Sequence, residues 1–317
     1  MMSRLLFAVL ALALSSCATL GGANYYSVDE EWQAGRQLEA QLRTQLPLTN
    51  DATLTRYVDQ IGQAMARQTP LGNRQWKFFV VRDDAINAFN VPGGLVYINT
   101  GLIANVGSAG ELAGAIAHEV AHLIHYRAVR GNLGLLDLFF GDPLPSFWTE
   151  GLAQYATERW DAQRADRWLR TATFEDRLNY NDGTSPQNGR LRYAVGNSQV
   201  RYLAQSRGDS TIAQILAHRK PVLLGLGSVH DFSTAFRAVT GESYGTFNEE
   251  WRKHVNVYYN TQAGQMERLD SLDAEPFGLP GQVVYDVAFS PDTARVAAVV
   301  LPSLTRPVRR LIAMPNP

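Results

Sequence analysis

The run His118-Glu119-Val120-Ala121-His122 constrains this chain more than any other, because it sets two histidines four residues apart inside an apolar, helix-forming stretch from Glu111 to Val129. On an α-helix, positions four apart share a face, with Cβ atoms about 5–6 Å from one another. His118 and His122 can then converge on one metal ion, and Glu119 stands beside them, placed to take a proton from a water at the metal. The flanking Ile116, Ala117, Val120, Ala121, Leu123 and Ile124 are uncharged, so the helix reads as buried and not as a solvated amphipathic surface. With 6 histidines in 317 residues, chance alone would write this spacing in about one chain in two hundred.

One zinc ion held by two histidines needs a third protein ligand and leaves a fourth position for water. The only cysteine, Cys17, lies near the N-terminus, so the third ligand is expected to be a carboxylate or another histidine. Glu150 is the choice. It begins a second helix near Phe147, and its neighbours Trp148, Gly151, Leu152 and Ala153 suit a close, buried contact with the metal helix. The plainer alternative is a first-turn acid that complements the helix dipole. His125 shares the face of His122 and His118, but three ligands over two turns of one helix would strain a tetrahedral site, so it reads as an outer-shell or surface group. Asp161 and Asp166 are weaker carboxylate candidates, Asp166 as a group that orients a ligand histidine. His218, His230 and His254 are isolated and read first as structural. Tyr155 and His230 are the candidate oxyanion donors. The turn Pro92-Gly93-Gly94, with the strand after it, is a candidate edge for an extended substrate.

At the N-terminus, Arg4 precedes an apolar run, Leu5 to Leu14, too short to span a bilayer. It ends in Leu14-Ser15-Ser16-Cys17, which matches a bacterial lipobox, with Cys17 the residue to be lipidated after cleavage. A lone cysteine leaves no intrachain disulfide. Ala18 follows where Asp would favour inner-membrane retention, so resemblance to Gram-negative lipoproteins implies an outer-membrane anchor facing the periplasm. A net charge of −1 with 19% charged residues argues against an electrostatic nucleic-acid surface.

Along the chain, two helices precede a small sheet. The second carries Leu54, Tyr57, Val58, Ile61 and Met65 at helical spacing, with Asn50 or Asp51 as its cap. Trp76 to Val81 and Leu95 to Asn99 read as strands, and Asn90 to Gly94 as turn chemistry. Several helices follow the metal helix, the last near Tyr244 to Tyr259, with Phe247, Trp251 and Val255 read as core. Val283 to Phe289 and Arg295 to Val300 are β-rich. The fold class expected is α+β: a mostly helical zincin with a small antiparallel-type sheet and a short β-rich C-terminal tail.

The elements Asn87-Ala88-Phe89-Asn90-Val91-Pro92-Gly93-Gly94, Gly101-Leu102-Ile103, Glu111-Leu112 and the HExxH run occur in the order seen in one zinc peptidase family. That family contains the CAAX prenyl protease, the heat-shock protease HtpX and periplasmic Oma-like lipoproteins, and residues 28 to 127 resemble it. Its next motif, Glu-x-x-Ala-Asp, is incomplete, since Ala162 occupies the Glu position before Ala165-Asp166. The later half resembles the peptidase MA-like gluzincins through Trp148, Glu150, Gly151, Ala153 and Tyr155, where the motif's Glu is a zinc ligand. Val287 to Asp292 resembles a blade of a TolB-type β-propeller.

These resemblances imply a lipoprotein signal peptide at 1–17, a tether at 18–27, a zinc metalloprotease domain at 28–260, a linker at 261–276 and an incomplete propeller-like segment at 277–317. They imply a gluzincin peptidase using Zn2+ and Glu119 on polypeptide substrates, including misfolded envelope proteins, at a membrane reached through the lipid anchor. The alternative is a catalytically silent lipoprotein of the same fold serving as chaperone or scaffold, although a scaffold has no need of Glu119. A zinc amidase acting on peptidoglycan is a third reading.

Overall fold

Each long helix of the N-terminal half starts where the sequence supplies a capping side chain. The structure is a computed structural model and describes residues 27–131, 141, 143–158, 165–176, 178, 189–265, 283–301 and 310–315. Ser27 caps α1 (Val28–Gln45) in a capping box with Glu30. Asp51 caps α2 (Ala52–Ala66), accepting from the backbone of Thr53 and Leu54 at 2.9 Å each. Ser108 caps α4 (Ala109–Val129), the helix with the HExxH run. Each such cap is worth about 1 kcal/mol.

Between α2 and α4 lie β1 (Lys77–Val81), β2 (Ala88–Val91), β3 (Leu95–Asn99) and a short helix, α3 (Thr100–Asn105). The sheet order is β1-β3-β2, with β3 central, parallel to β1 and antiparallel to β2. The hairpin β2–β3 carries the antiparallel character expected from sequence, and β1 makes the sheet mixed. Period-two alternation divides its side chains between two faces. Phe78, Val80, Val96 and Ile98 pack with Trp32, Val58 and Trp76 and with Leu112, Ile116, Val120 and Leu123 of α4. Phe79, Val81, Leu95 and Tyr97 face the other way and pack with Leu42 of α1.

The second half is helical: α5 (Ser146–Thr157), α6 (Arg167–Phe174), α7 (Gly189–Arg207), α8 (Ser210–Ala217), α9 (Phe232–Thr240) and α10 (Tyr244–Gln265). Its core gathers around Trp148, whose ring meets Phe232 edge-on at 5.0 Å. Phe247, Trp251 and Val255 are buried there, as their spacing predicts. The indole N–H of Trp148 donates to Gln199 at 2.8 Å, and Gln199 donates in turn to Asn248 at 2.9 Å, so the buried polar groups at the centre are satisfied. Between α8 and α9, β4 (Lys220–Val222) and β5 (Gly227–Val229) form a small hairpin. At its tip Leu223 and Leu224 adopt left-handed φ angles of 52° and 57°, and Leu224 is fully exposed.

The chain divides into two compact units, Met1–Asn260 and Thr261–Pro317. In the second, β6 (Val283–Phe289), β7 (Arg295–Leu301) and β8 (Arg310–Pro315) form an antiparallel meander. The first two strands fall on the β-rich runs read from sequence. Helix α10 continues to Gln265, past the point at which a linker was expected to begin.

Candidate metal centre

Helix α4 presents His118 and His122 on one side while Leu112, Ile116, Val120 and Leu123 bury the other against the sheet. The two Nε2 atoms lie 3.0 Å apart, and each is 3.2 Å from Oε2 of Glu150 on α5. This near-equilateral triangle can be tested against a metal. Zinc bonds of about 2.0–2.1 Å in a tetrahedron require ligand atoms roughly 3.3–3.4 Å from one another. The observed edges approach that spacing, and the three groups, two imidazoles and a carboxylate, are ones that zinc accepts. Among the described residues this is the one group of histidine, cysteine and carboxylate ligand atoms that converges in this way.

Glu150 reaches α4 because α5 is itself pressed against α7 without side chains between them. A methyl group added to Gly196 of α7 would lie 1.7 Å from the carbonyl oxygen of Phe147, and one added to Gly151 of α5 would lie 2.1 Å from the Gly196 backbone. Only glycines permit this approach, and Glu150 immediately precedes the contact. Sequence reasoning used Gly151 as a sign of close packing, but had no means of knowing that its partner was Gly196.

The electrostatics separate the two glutamates. Burial alone would raise the Glu150 pKa, but its hydrogen bonds to His118 and His122 outweigh it and hold the carboxylate well below the usual range. It is thus ionised, as a ligand must be. Burial instead prevails at Glu119 and pushes its pKa up, against the opposing pull of Asn90 and the two histidines. Asn90 on β2 donates its side-chain amide to Glu119 Oε2 at 2.6 Å. His125 has its pKa lowered to about 4 by burial and then by the neighbouring histidines. It is half-buried on α4 and is not one of the three converging groups.

The other candidate residues have partners of their own. Tyr155 donates its hydroxyl to Asp209 at 2.9 Å, with the Arg201 guanidinium over its ring. His230 follows β5 and is buried with Nδ1 3.4 Å from the carbonyl oxygen of His218. Asp166 accepts from the Tyr259 hydroxyl at 2.6 Å, which ties it to the helical core and not to a ligand histidine. His254 stacks on Tyr202. Asp161 and Cys17 lie outside the described residues, as does most of the apolar segment before Pro143.

The reading of Pro92-Gly93-Gly94 as a substrate edge needs correction. Gly93 and Gly94 are buried, and a methyl on Gly93 would lie 2.6 Å from the Gly35 Cα of α1. These glycines let the turn meet α1. The strand after them, β3, is central and paired on both sides, so among the described residues the sheet edge beside α4 is β2. Two groups escaped sequence reasoning. Asn90 was read as part of a turn and is the partner of Glu119. Tyr193 on α7 has its ring 6.1 Å from that of His118, and burial and then the Glu150 charge push its pKa up to about 12.

Residues 52–141 match the family model described as peptidase family M48. The chain is 32% identical over 119 residues to the putative beta-barrel assembly-enhancing protease of Vibrio cholerae, covering 38% of this chain and 24% of that one. It is also 32% identical over 124 residues to the beta-barrel assembly-enhancing protease of Escherichia coli, covering 39% and 25%. The mitochondrial metalloendopeptidase OMA1 of Schizosaccharomyces pombe is 32% identical over 79 residues, covering 25% and 23%. The chain thus spans about a quarter of the length of these curated relatives. The matched family segment contains His118, Glu119 and His122 and ends before Glu150.

Proposed function

We propose that this chain, a peptidase family M48 protein through its residues 52–141, is a zinc-dependent peptidase that hydrolyses peptide bonds of cell-envelope proteins. The observation that carries the proposal is the triangle of His118, His122 and Glu150 with a second carboxylate, Glu119, held beside it. Zinc bound by the three groups would supply Lewis acidity to a scissile carbonyl and to the attacking water.

The remaining work falls to the chain's own side chains. Glu119 takes a proton from the water and later returns one to the departing amine. Its burial favours that exchange, because a carboxylate with a raised pKa is a better proton acceptor than an exposed one. The Asn90 amide holds one Glu119 oxygen. Since Asn90 lies on β2, an extended substrate pairing with that free edge would run beside the catalytic carboxylate.

The names of the bacterial relatives, which refer to beta-barrel assembly, support polypeptides of the envelope as the substrate class. The lipobox reading of Cys17 is consistent with that setting and supports a lipoprotein tethered to the outer membrane on its periplasmic side. The propeller-like segment 277–317 is proposed as an accessory to the peptidase domain.

The test is zinc content and hydrolysis of an unfolded protein such as casein by the purified chain. Wild type is expected to hold one zinc and cleave. Glu119→Gln is expected to keep the metal and lose cleavage by a factor of about 10³ or more. Zinc without hydrolysis in wild type, or full activity in Glu119→Gln, would overturn the chemistry.

A further inference from the structure

Three leucines fall within four residues at the tip of the β4–β5 hairpin, and none belongs to a hydrophobic core. Leu224 is fully exposed, and Leu226 and Leu223 expose 85% and 44% of their surface. Single exposed leucines are ordinary on a protein surface, whereas a cluster on one turn marks a contact with something apolar. The turn itself does not ask for leucine. Leu223 and Leu224 both occupy the left-handed region, which suits Gly225 beside them at φ 89° and disfavours a side chain.

The root of this hairpin is fixed at one end of the HExxH helix. Arg219 donates to the carbonyl oxygens of Leu216 and His218 at 2.8 and 2.9 Å, and to that of Ala128 in the last turn of α4. Lys220 pairs with Asp231, the cap of α9, at 3.0 Å. The same end of α4 meets the first turn of α1, where Arg130 Nη1 lies 3.3 Å from Glu31 Oε2. The tether expected at residues 18–27 leads into that turn, and at its fullest extension it spans about 35 Å. A lipid on Cys17 therefore holds this end of α4 within reach of the bilayer, and the leucine turn is rooted at that end.

We propose that Leu223, Leu224 and Leu226 enter the interface of the bilayer to which Cys17 is anchored, a second contact that fixes how the domain is oriented on the membrane. The inference rests on the reading of Cys17 as lipidated. A tether alone leaves the domain free to turn, and a second point of attachment removes that freedom. The depth is limited, because the polar backbone of a turn cannot be carried into hydrocarbon. Apolar side chains at the boundary of headgroups and acyl chains sit about 5–10 Å deep, which leucines on an exposed turn can reach without burying the strands behind them.

The experiment places a nitroxide on the turn. The whole chain carrying Leu224→Cys or Leu226→Cys is expressed into the envelope, purified, spin-labelled and reconstituted in vesicles of phosphatidylethanolamine and phosphatidylglycerol. Each label is expected to be several-fold more accessible to oxygen, which partitions into lipid, than to a water-soluble nickel complex. Replacing the remaining leucines of the turn by serine is expected to abolish that difference. A label that nickel reaches equally in both backgrounds overturns the inference. So does a label that stays in water beside the vesicles and is covered on adding casein, an outcome that assigns the turn to substrate capture. The intact mass of the same protein reports the anchor separately. A Cys17 without acyl chains overturns the lipoprotein reading and the inference with it, and is thereby distinct from a label that stays in water on an acylated chain.

Discussion

The side-chain amide of Asn90 donates to Oε2 of Glu119 at 2.6 Å, joining the edge strand of the sheet to the proposed general base. A hydrogen bond to a charged group is worth about 1.5–3 kcal/mol, or roughly 10–100-fold in rate if it is expressed only in the transition state. Asn90→Ala is therefore expected to lower kcat by about that factor with KM little changed. Asn90→Asp is expected to be worse, because it sets a second carboxylate against Glu119. Steady-state kinetics on a peptide substrate would check both, and a rise in KM at constant kcat would show that Asn90 binds substrate instead.

The close approach of α5 and α7 makes a second expectation quantitative. Overpacking a core costs about 1–3 kcal/mol, and more where backbone must move. In Gly196→Ala the new methyl would meet the Phe147 carbonyl oxygen at 1.7 Å, so backbone must move. The loss is expected to reach about 3 kcal/mol or more, measured by urea unfolding. A loss below 0.5 kcal/mol, roughly the size of a neutral surface change, would contradict the helix contact described above.

Glu39 offers a pH test remote from the metal. It is buried beside Lys77 Nζ at 2.7 Å and Arg43 Nη2 at 2.9 Å. Burial alone would raise its pKa, and the two cations outweigh burial and hold it below the usual 4.5. A carboxylate depressed in the folded state contributes stability above its unfolded pKa and loses it as pH falls through the folded value. Because both cations remain partly exposed, Glu39→Gln is expected to cost about 1–2 kcal/mol at pH 7. That difference from wild type should shrink as pH drops below about 4.5, close to the unfolded carboxylate value. Unfolding free energies at pH 7 and pH 3.5 would check it, and a constant difference would contradict the ion pairs.

The exposed tip of the β4–β5 hairpin gives a prediction of opposite sign. A left-handed backbone costs a non-glycine residue roughly 1–2 kcal/mol, against about 0.5–1 kcal/mol for the added freedom of glycine when unfolded. Leu224 adopts φ 57° with its side chain fully exposed. Leu224→Gly is expected to be neutral or stabilising by up to about 1 kcal/mol in a thermal melt. A loss of that size would mean that the side chain has a packing partner.

What could be read from sequence was what depends on local periodicity. His118 and His122 follow from i, i+4 geometry alone, and Phe247, Trp251 and Val255 identified their own buried stripe. Glu150 could be named because a glycine and small residues beside it announced a close helix contact. Tyr193 could not, since nothing local distinguishes a tyrosine facing a metal centre from one facing the core. Asn90 was hidden by a four-residue strand that continues directly into a glycine turn. Gly93 misled for a related reason: a glycine that admits a substrate and one that admits a neighbouring helix have the same local sequence. Only Gly35, on α1 and far back in the chain, distinguishes them.

The ligands of the proposed centre belong to two differently packed bodies of side chains. His118 and His122 ride on the helix that seals the sheet-side core, and Glu150 rides on one that is rooted among Trp148, Phe232 and Trp251. An ion held jointly by them, as proposed, would be a fastener as well as a reagent. Sequestering it would remove a crosslink between the two cores, so starvation for metal would cost this protein its rigidity as well as its chemistry.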